Sequence, residues 1–142
     1  GGFIEWAYVH GNYYGITKKE IDRITGTQKI PIFDVDVQGA ATLRKSLPDA
    51  VFVYIVPPSL KVLQDRLRGR GTDSEEQIRL RLHNAMEELR HYQYYDYIIV
   101  NESMTEACEC FRSILKAEAC RTSRLEKTVM KIIGDGTNDY TA

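Results

Sequence analysis

Two carboxylates, Asp34 and Asp36, close the apolar run Ile30-Pro31-Ile32-Phe33. Two residues apart on a strand, they would point the same way. Like charges on one side repel unless a cation or a ligand's donors offset them. Further on, five arginines crowd one stretch: Arg66, Arg68, Arg70, Arg79 and Arg81. Arg66 and Arg70, spaced i and i+4, share one helical face, and Gly69 and Gly71 let the backbone bend around Arg70. The planar guanidinium fork matches phosphate with paired, charge-assisted hydrogen bonds. A third group is Glu5-Trp6-Ala7 followed by His10-Gly11-Asn12-Tyr13-Tyr14-Gly15. A carboxylate in an aromatic strand, with tyrosine hydroxyls beside a glycine turn, suits a polar ring and an anion. Each group also has a plain structural reading. The acids could be solvated strand ends. The arginines, with Glu75, Glu76, Glu87 and Glu88, could form a salt-bridged exposed helix. The aromatic pair could be an ordinary hairpin.

The elements that position these groups follow from period and punctuation. Phe3–Val9 reads as a strand, Gly11-Asn12 as a turn, and Tyr13-Tyr14 as a short second strand. Lys18–Ile24 has helical spacing and stops near Gly26. Ile30–Val37 is expected to be a strand and Ala40–Leu47 a short helix. The run Val51–Val56 is continuously apolar, which predicts a strand buried on both faces. Ser59 caps a helix through Leu60, Leu63 and Leu67. Thr72-Asp73-Ser74-Glu75 has the form of a capping box opening a helix to about Arg90. Tyr97–Val100 is a last strand, Thr105–Lys131 a long helix, and Gly134–Asp139 a loose polar tail. Strands alternating with helices predict an α/β fold with a mostly parallel sheet, whose ligands bind at the C-terminal strand ends.

Bulk composition excludes more than it assigns. The 142 residues are 43% hydrophobic and 27% charged, enough for one globular domain. A net charge of -1 gives no basic field for nucleic acid. No apolar run approaches the roughly 20 residues that span a bilayer. Cys108, Cys110 and Cys120 lack zinc spacing and read as reduced core or surface thiols, which fits the cytoplasm.

In order and spacing, six strings resemble the guanylate kinase family. They are Phe3-Ile4-Glu5-Trp6-Ala7, Gly11-Asn12-Tyr13-Tyr14-Gly15, Asp34-Val35-Asp36-Val37-Gln38-Gly39, Pro57-Pro58-Ser59, Arg66-Leu67-Arg68-Gly69-Arg70-Gly71-Thr72 and Tyr97-Ile98-Ile99-Val100-Asn101. The resemblance runs from Gly1 to about Arg124. It implies the P-loop nucleoside monophosphate kinase fold, with a GMP-binding part over about residues 1–30, a lid over about 66–90, and a C-terminal helix end and tail over 125–142. It implies phosphoryl transfer from ATP to GMP with Mg²⁺. By resemblance, Glu5 reads the guanine edge and Tyr14 binds the GMP phosphate, with Asn12, Tyr13 and Gly15 beside it. Asp34 and Asp36 lie near guanine and the metal-phosphate region, with Asp36 reaching metal through water. Arg66, Arg70 and Arg81 gather around the phosphates, and Asn101 lies beside adenine.

Two departures stand out. No G-x-x-x-x-G-K-[ST] loop occurs in the chain. The expectation is therefore that a preceding segment carries it, and that these residues alone do not catalyse. Ile16 stands where the family usually has a hydroxyl that helps read guanine. A non-catalytic guanylate-kinase-like interaction module is the rival reading. Retention of Glu5, Asp34, Asp36, Arg70 and Arg81 weighs against it.

Overall fold

The structure, a computed structural model, describes residues 3–9, 12–27 and 29–139, with side chains at Ile4 and Gly15 and over 17–27 and 29–135. The chain order is β1 (Phe3–Val9), β2 (Asn12–Thr17), α1 (Lys18–Gly26), α2 (Val37–Ser46), β3 (Val53–Val56), α3 (Leu60–Gly69), α4 (Glu75–Leu89), a 3-10 turn (Tyr92–Tyr94), β4 (Tyr97–Val100), α5 (Met104–Ala119) and α6 (Thr122–Asp139). The described residues form two small sheets. β1 and β2 pair antiparallel, with a register shift between Phe3 and Glu5. β3 and β4 pair parallel, Val53 opposite Tyr97 and Val56 opposite Val100. The expected turn at Gly11 lies outside the described residues.

Helix starts follow capping chemistry closely. Thr17, Asp36, Ser59, Ser74 and Ser103 each accept a hydrogen bond from a first-turn backbone N–H of the helix that follows. These caps satisfy donors that the helix leaves without partners. The capping box of α4 is not the expected one. It joins Ser74 to Gln77, reciprocally, because the helix begins at Glu75 and not earlier. Glu75 is thereby left to Arg68, which donates two bonds of 2.9 Å to it.

The core is small and sits where α2 meets β1 and β3. Ala40, Leu43 and Phe52 are buried, with Ile4, Phe33, Val35 and Tyr95 packed against them. Arg44 lies 4.1 Å over the Phe52 ring and donates to the Tyr94 carbonyl. Asp96 accepts from the Phe52 N–H at 2.7 Å, so the entries of β3 and β4 are tied together.

Further expectations are corrected. Residues 30–36 form no ladder, although Pro31, Phe33 and Val35 are half-buried while Ile32, Asp34 and Asp36 are exposed. The segment has the two-residue period of a strand but meets no strand partner among the described residues, and pairing is what makes a strand. β3 is not buried on both faces. Ile55 is 55% exposed, and Ile98 and Val100 of β4 are 48% and 54% exposed. A two-stranded sheet covered on one side leaves its alternate positions open.

The long C-terminal helix is broken at Cys120 and Arg121, and residues 134–139, expected as a loose tail, continue α6. An electrostatic clasp spans the break. Glu118, only 5% exposed, accepts from the Tyr97 hydroxyl at 2.6 Å and pairs with Arg121 at 2.8 Å and Arg124 at 3.5 Å. The Tyr97 hydrogen bond foremost, then the two arginines, hold the Glu118 carboxyl below the usual carboxylate range. Its folded pKa is therefore depressed. The stability it contributes is complete above the ordinary carboxylate range and disappears as pH falls through the lowered value. Glu118→Gln is expected to flatten the acid limb of a plot of urea midpoint against pH. An acid limb identical to that of the wild-type chain would remove Glu118 from this role.

Candidate active site

Where parallel strands β3 and β4 end, a cleft of about 510 Å³ opens between them and α3. Pro57, Leu63, Arg66, Arg70, Asn101 and Met104 line it. The cleft lies at the C-terminal strand ends, where the sheet directs its loops, as the fold class requires. A larger groove, about 710 Å³, runs along β4 and α5, with Glu106 and Glu109 in its wall. Its acidic lining suits an anion poorly, and it lies along the strand flank. The smaller cleft is the one that gathers arginines.

The arginines that the sequence groups together are sorted by the structure. Arg68 is consumed by Glu75 in a fork-to-carboxylate pair, which also holds the Glu75 carboxyl below its ordinary value. Arg66 donates through Nη1 to the Asn101 carbonyl and through Nη2 to the Glu102 carbonyl, both at 2.9 Å. It thereby ties α3 to the loop after β4. Arg79 reaches the Glu75 carbonyl at 3.4 Å. Arg81 of α4 meets Asp73 through Nε at 3.4 Å. Arg70, the C-cap of α3, has no acidic partner for its guanidinium among the described residues. Gly71 follows with φ of +67°, a backbone region that side-chain-bearing residues rarely adopt, so the bend beside Arg70 needs glycine there.

The remaining sequence candidates fall on two other elements. Glu5 lies on β1 with its Cα opposite Ile16, and Asn12, Tyr13, Tyr14 and Gly15 lie on β2 opposite Val9, Tyr8, Ala7 and Trp6. The structure describes their backbone register, not the side chains of Glu5, Asn12, Tyr13 and Tyr14. Asp34 and Asp36 are exposed on the same side of their segment. Asp36 Oδ1 accepts from the Gly39 N–H at 2.8 Å, so this acid caps α2. Asn101 donates its N–H to the Val56 carbonyl at 2.8 Å, which locks the strand ends beneath the cleft. Sequence reasoning did not single out Asp73, whose side chain is 9% exposed against Arg81. Its place just before a helix gave only a capping signal. No group of three or more His, Cys, Asp and Glu that could hold a metal ion occurs among the described residues.

A parallel strand pair with an arginine-lined cleft over its C-terminal ends defines an α/β protein of the kind whose ligands bind at strand ends. A family model described as guanylate kinase matches residues 1–118. The chain belongs to the guanylate kinase family. It is 48% identical over 125 residues to a guanylate kinase of Syntrophotalea carbinolica, covering 88% of this chain and 60% of that relative. A guanylate kinase of Bartonella henselae is 44% identical over 123 residues, covering 86% of this chain and 55% of the relative. Among solved structures, guanylate kinase from Anaplasma phagocytophilum superposes with a TM-score of 0.68 at 32% identity, over 87% of this chain and 60% of that one. The chain thus spans less than two thirds of the length of these relatives.

Proposed function

We propose that this chain supplies the GMP-binding part and the arginine-bearing cover of an ATP:GMP phosphotransferase. The observation that carries the reading is Arg70. It lines the strand-end cleft, and its guanidinium is uncommitted among the described residues, while Arg66 and Arg68 beside it are engaged. A cation held at a cleft without a counter-ion is set up to take an anion from solution.

The acceptor is itself an anionic phosphate, so little base assistance is needed. The work is to align the two phosphates and to neutralise charge on the transferred group. In this reading Arg70 and Arg81 supply that charge. Arg66 orders the loop carrying Asn101, against which the ATP base rests. Glu5 accepts from the guanine N–H and amino groups, which favours guanine over adenine. Tyr14, with Asn12, Tyr13 and Gly15 around it, takes the GMP phosphate, and Asp34 lies on the guanine side. Closing the segment around Gly69–Gly71 excludes water and limits ATP hydrolysis. Mg²⁺, when bound with ATP, adds neutralising charge at the phosphates. The described acids build no protein cage for it, and Asp36, with one oxygen on the Gly39 N–H, would reach it through water. We place the protein in the cytoplasm, in keeping with free, exposed Cys108, Cys110 and Cys120. Among the described residues no helix is long and apolar enough to cross a membrane.

The test is a chimera. This chain is joined behind the portion of the Syntrophotalea carbinolica relative that the match leaves uncovered, and ADP formation from ATP is followed with GMP, AMP, CMP or UMP. Rapid turnover with GMP and little with the others is expected. Turnover that ignores the base, or a folded chimera with no turnover, would sink the proposal.

A further inference from the structure

The pairing of Asp73 with Arg81 goes beyond the roles assigned above and rests on that phosphotransferase reading. Asp73 precedes the Ser74 cap, and its carboxylate is 9% exposed, while the Arg81 side chain is 55% exposed. The contact runs from Asp73 Oδ2 to Arg81 Nε at 3.4 Å. Neither terminal nitrogen of Arg81 makes a hydrogen bond among the described residues. This differs from the neighbouring pairs. Glu75 takes both Nε and Nη2 of Arg68, and the Asn101 and Glu102 carbonyls take both terminal nitrogens of Arg66.

We propose that Asp73 is a positioning residue that holds Arg81 by the inner edge of its guanidinium and keeps the outer fork free for a phosphate. A buried carboxylate is expensive unless paired, and a structural pair of this kind would be most stable with two guanidinium nitrogens bonded along one edge, as in Arg68–Glu75. Holding only Nε fixes the long side chain at less entropic cost to a ligand, so the two terminal amino groups meet phosphate already ordered. The nearest approach of the carboxylate is to Nε, so the edge between the two terminal amino groups is the one that faces a phosphate. The ligand class is an oligophosphate, the part common to ATP and its products.

The test uses the full chain and inorganic pyrophosphate. The Arg81 Nε–Hε resonance is expected to be displaced and slow to exchange in the wild-type chain, to lose this in Asp73→Asn, and to keep it in Asp73→Glu. Glu75→Gln, which acts on Arg68, should leave it unchanged. Pyrophosphate should bind about tenfold more weakly to Asp73→Asn, equivalent to about 1.4 kcal/mol. Asp73→Asn combined with Arg81→Ala should be no weaker than Arg81→Ala alone. An Arg81 resonance indifferent to Asp73 overturns the proposal. So does a lowered Tm with pyrophosphate affinity intact, which marks a purely structural tether. A wild-type chain that shows no pyrophosphate response at Arg81 overturns it too. Failure of the kinase chimera with these results intact would discard the GMP reading and leave the Asp73–Arg81 device standing.

Discussion

Arg70→Ala in the chimeric kinase is expected to lower kcat by about 10³-fold, in the range of arginines that stabilise a transferring phosphoryl group. The reason is positional. Arg70 caps α3 at the rim of the cleft, where Pro57 and Asn101 mark the ends of the parallel strands. Its charge is not offset by a described acid, so its field acts on the ligand and not on a neighbour. Removal should change kcat far more than the KM for GMP, because charge on the transferred group grows toward the transition state. Arg70→Lys should recover little, since a point charge does not reproduce the fork. Arg68→Ala is the matched comparison: Arg68 is spent on Glu75, and its loss should leave kcat within about threefold, an exposed ion pair being worth little. Equal losses for Arg68 and Arg70 would mean that the sorting of arginines seen in the structure has no catalytic meaning.

The second large effect is on stability, and it reaches the site through packing. Leu43→Ala should destabilise the chain by about 2–5 kcal/mol, the usual cost of a cavity in a core that cannot fully collapse. Leu43 is 3% exposed and belongs to the cluster joining α2 to Ile4 of β1, to Phe33 and Val35, and to Phe52. That cluster is what relates the hairpin bearing Glu5 and Tyr14 to the sheet bearing the cleft. In the chimera, Leu43→Ala is therefore expected to raise the KM for GMP at a temperature where the protein is still folded. Lys45→Ala, on the exposed side of the same helix, should change stability by less than about 0.5 kcal/mol. Denaturant midpoints and GMP kinetics, measured on both variants, check the pair of claims. Equal midpoints for Leu43→Ala and wild type would refute the packing argument.

Capped helices and short strands were legible in the sequence because their signals are local. Ser59 marks a helix start through one hydrogen bond within its own turn, and Tyr97–Val100 reads as a strand from residue type alone. Family membership was legible too, since six ordered strings survive without any knowledge of contacts. Other outcomes depended on partners distant in the chain. The run at 30–36 has strand periodicity, but a ladder needs a neighbour, and the sequence does not say whether one is there. The long helix breaks where Glu118 gathers Tyr97, Arg121 and Arg124, and residue 97 is remote from 118 in sequence.

The arginines make the division plainest. Five of them within one stretch established, by composition and spacing alone, that this part of the chain handles phosphate or a salt-bridged surface. Only the tertiary structure distinguished Arg66 on backbone carbonyls, Arg68 on Glu75, Arg81 on Asp73, and Arg70 left at the cleft. A guanidinium's charge is a property of the residue. What remains for a ligand is decided by which acceptors the fold brings within about 3–4 Å of it.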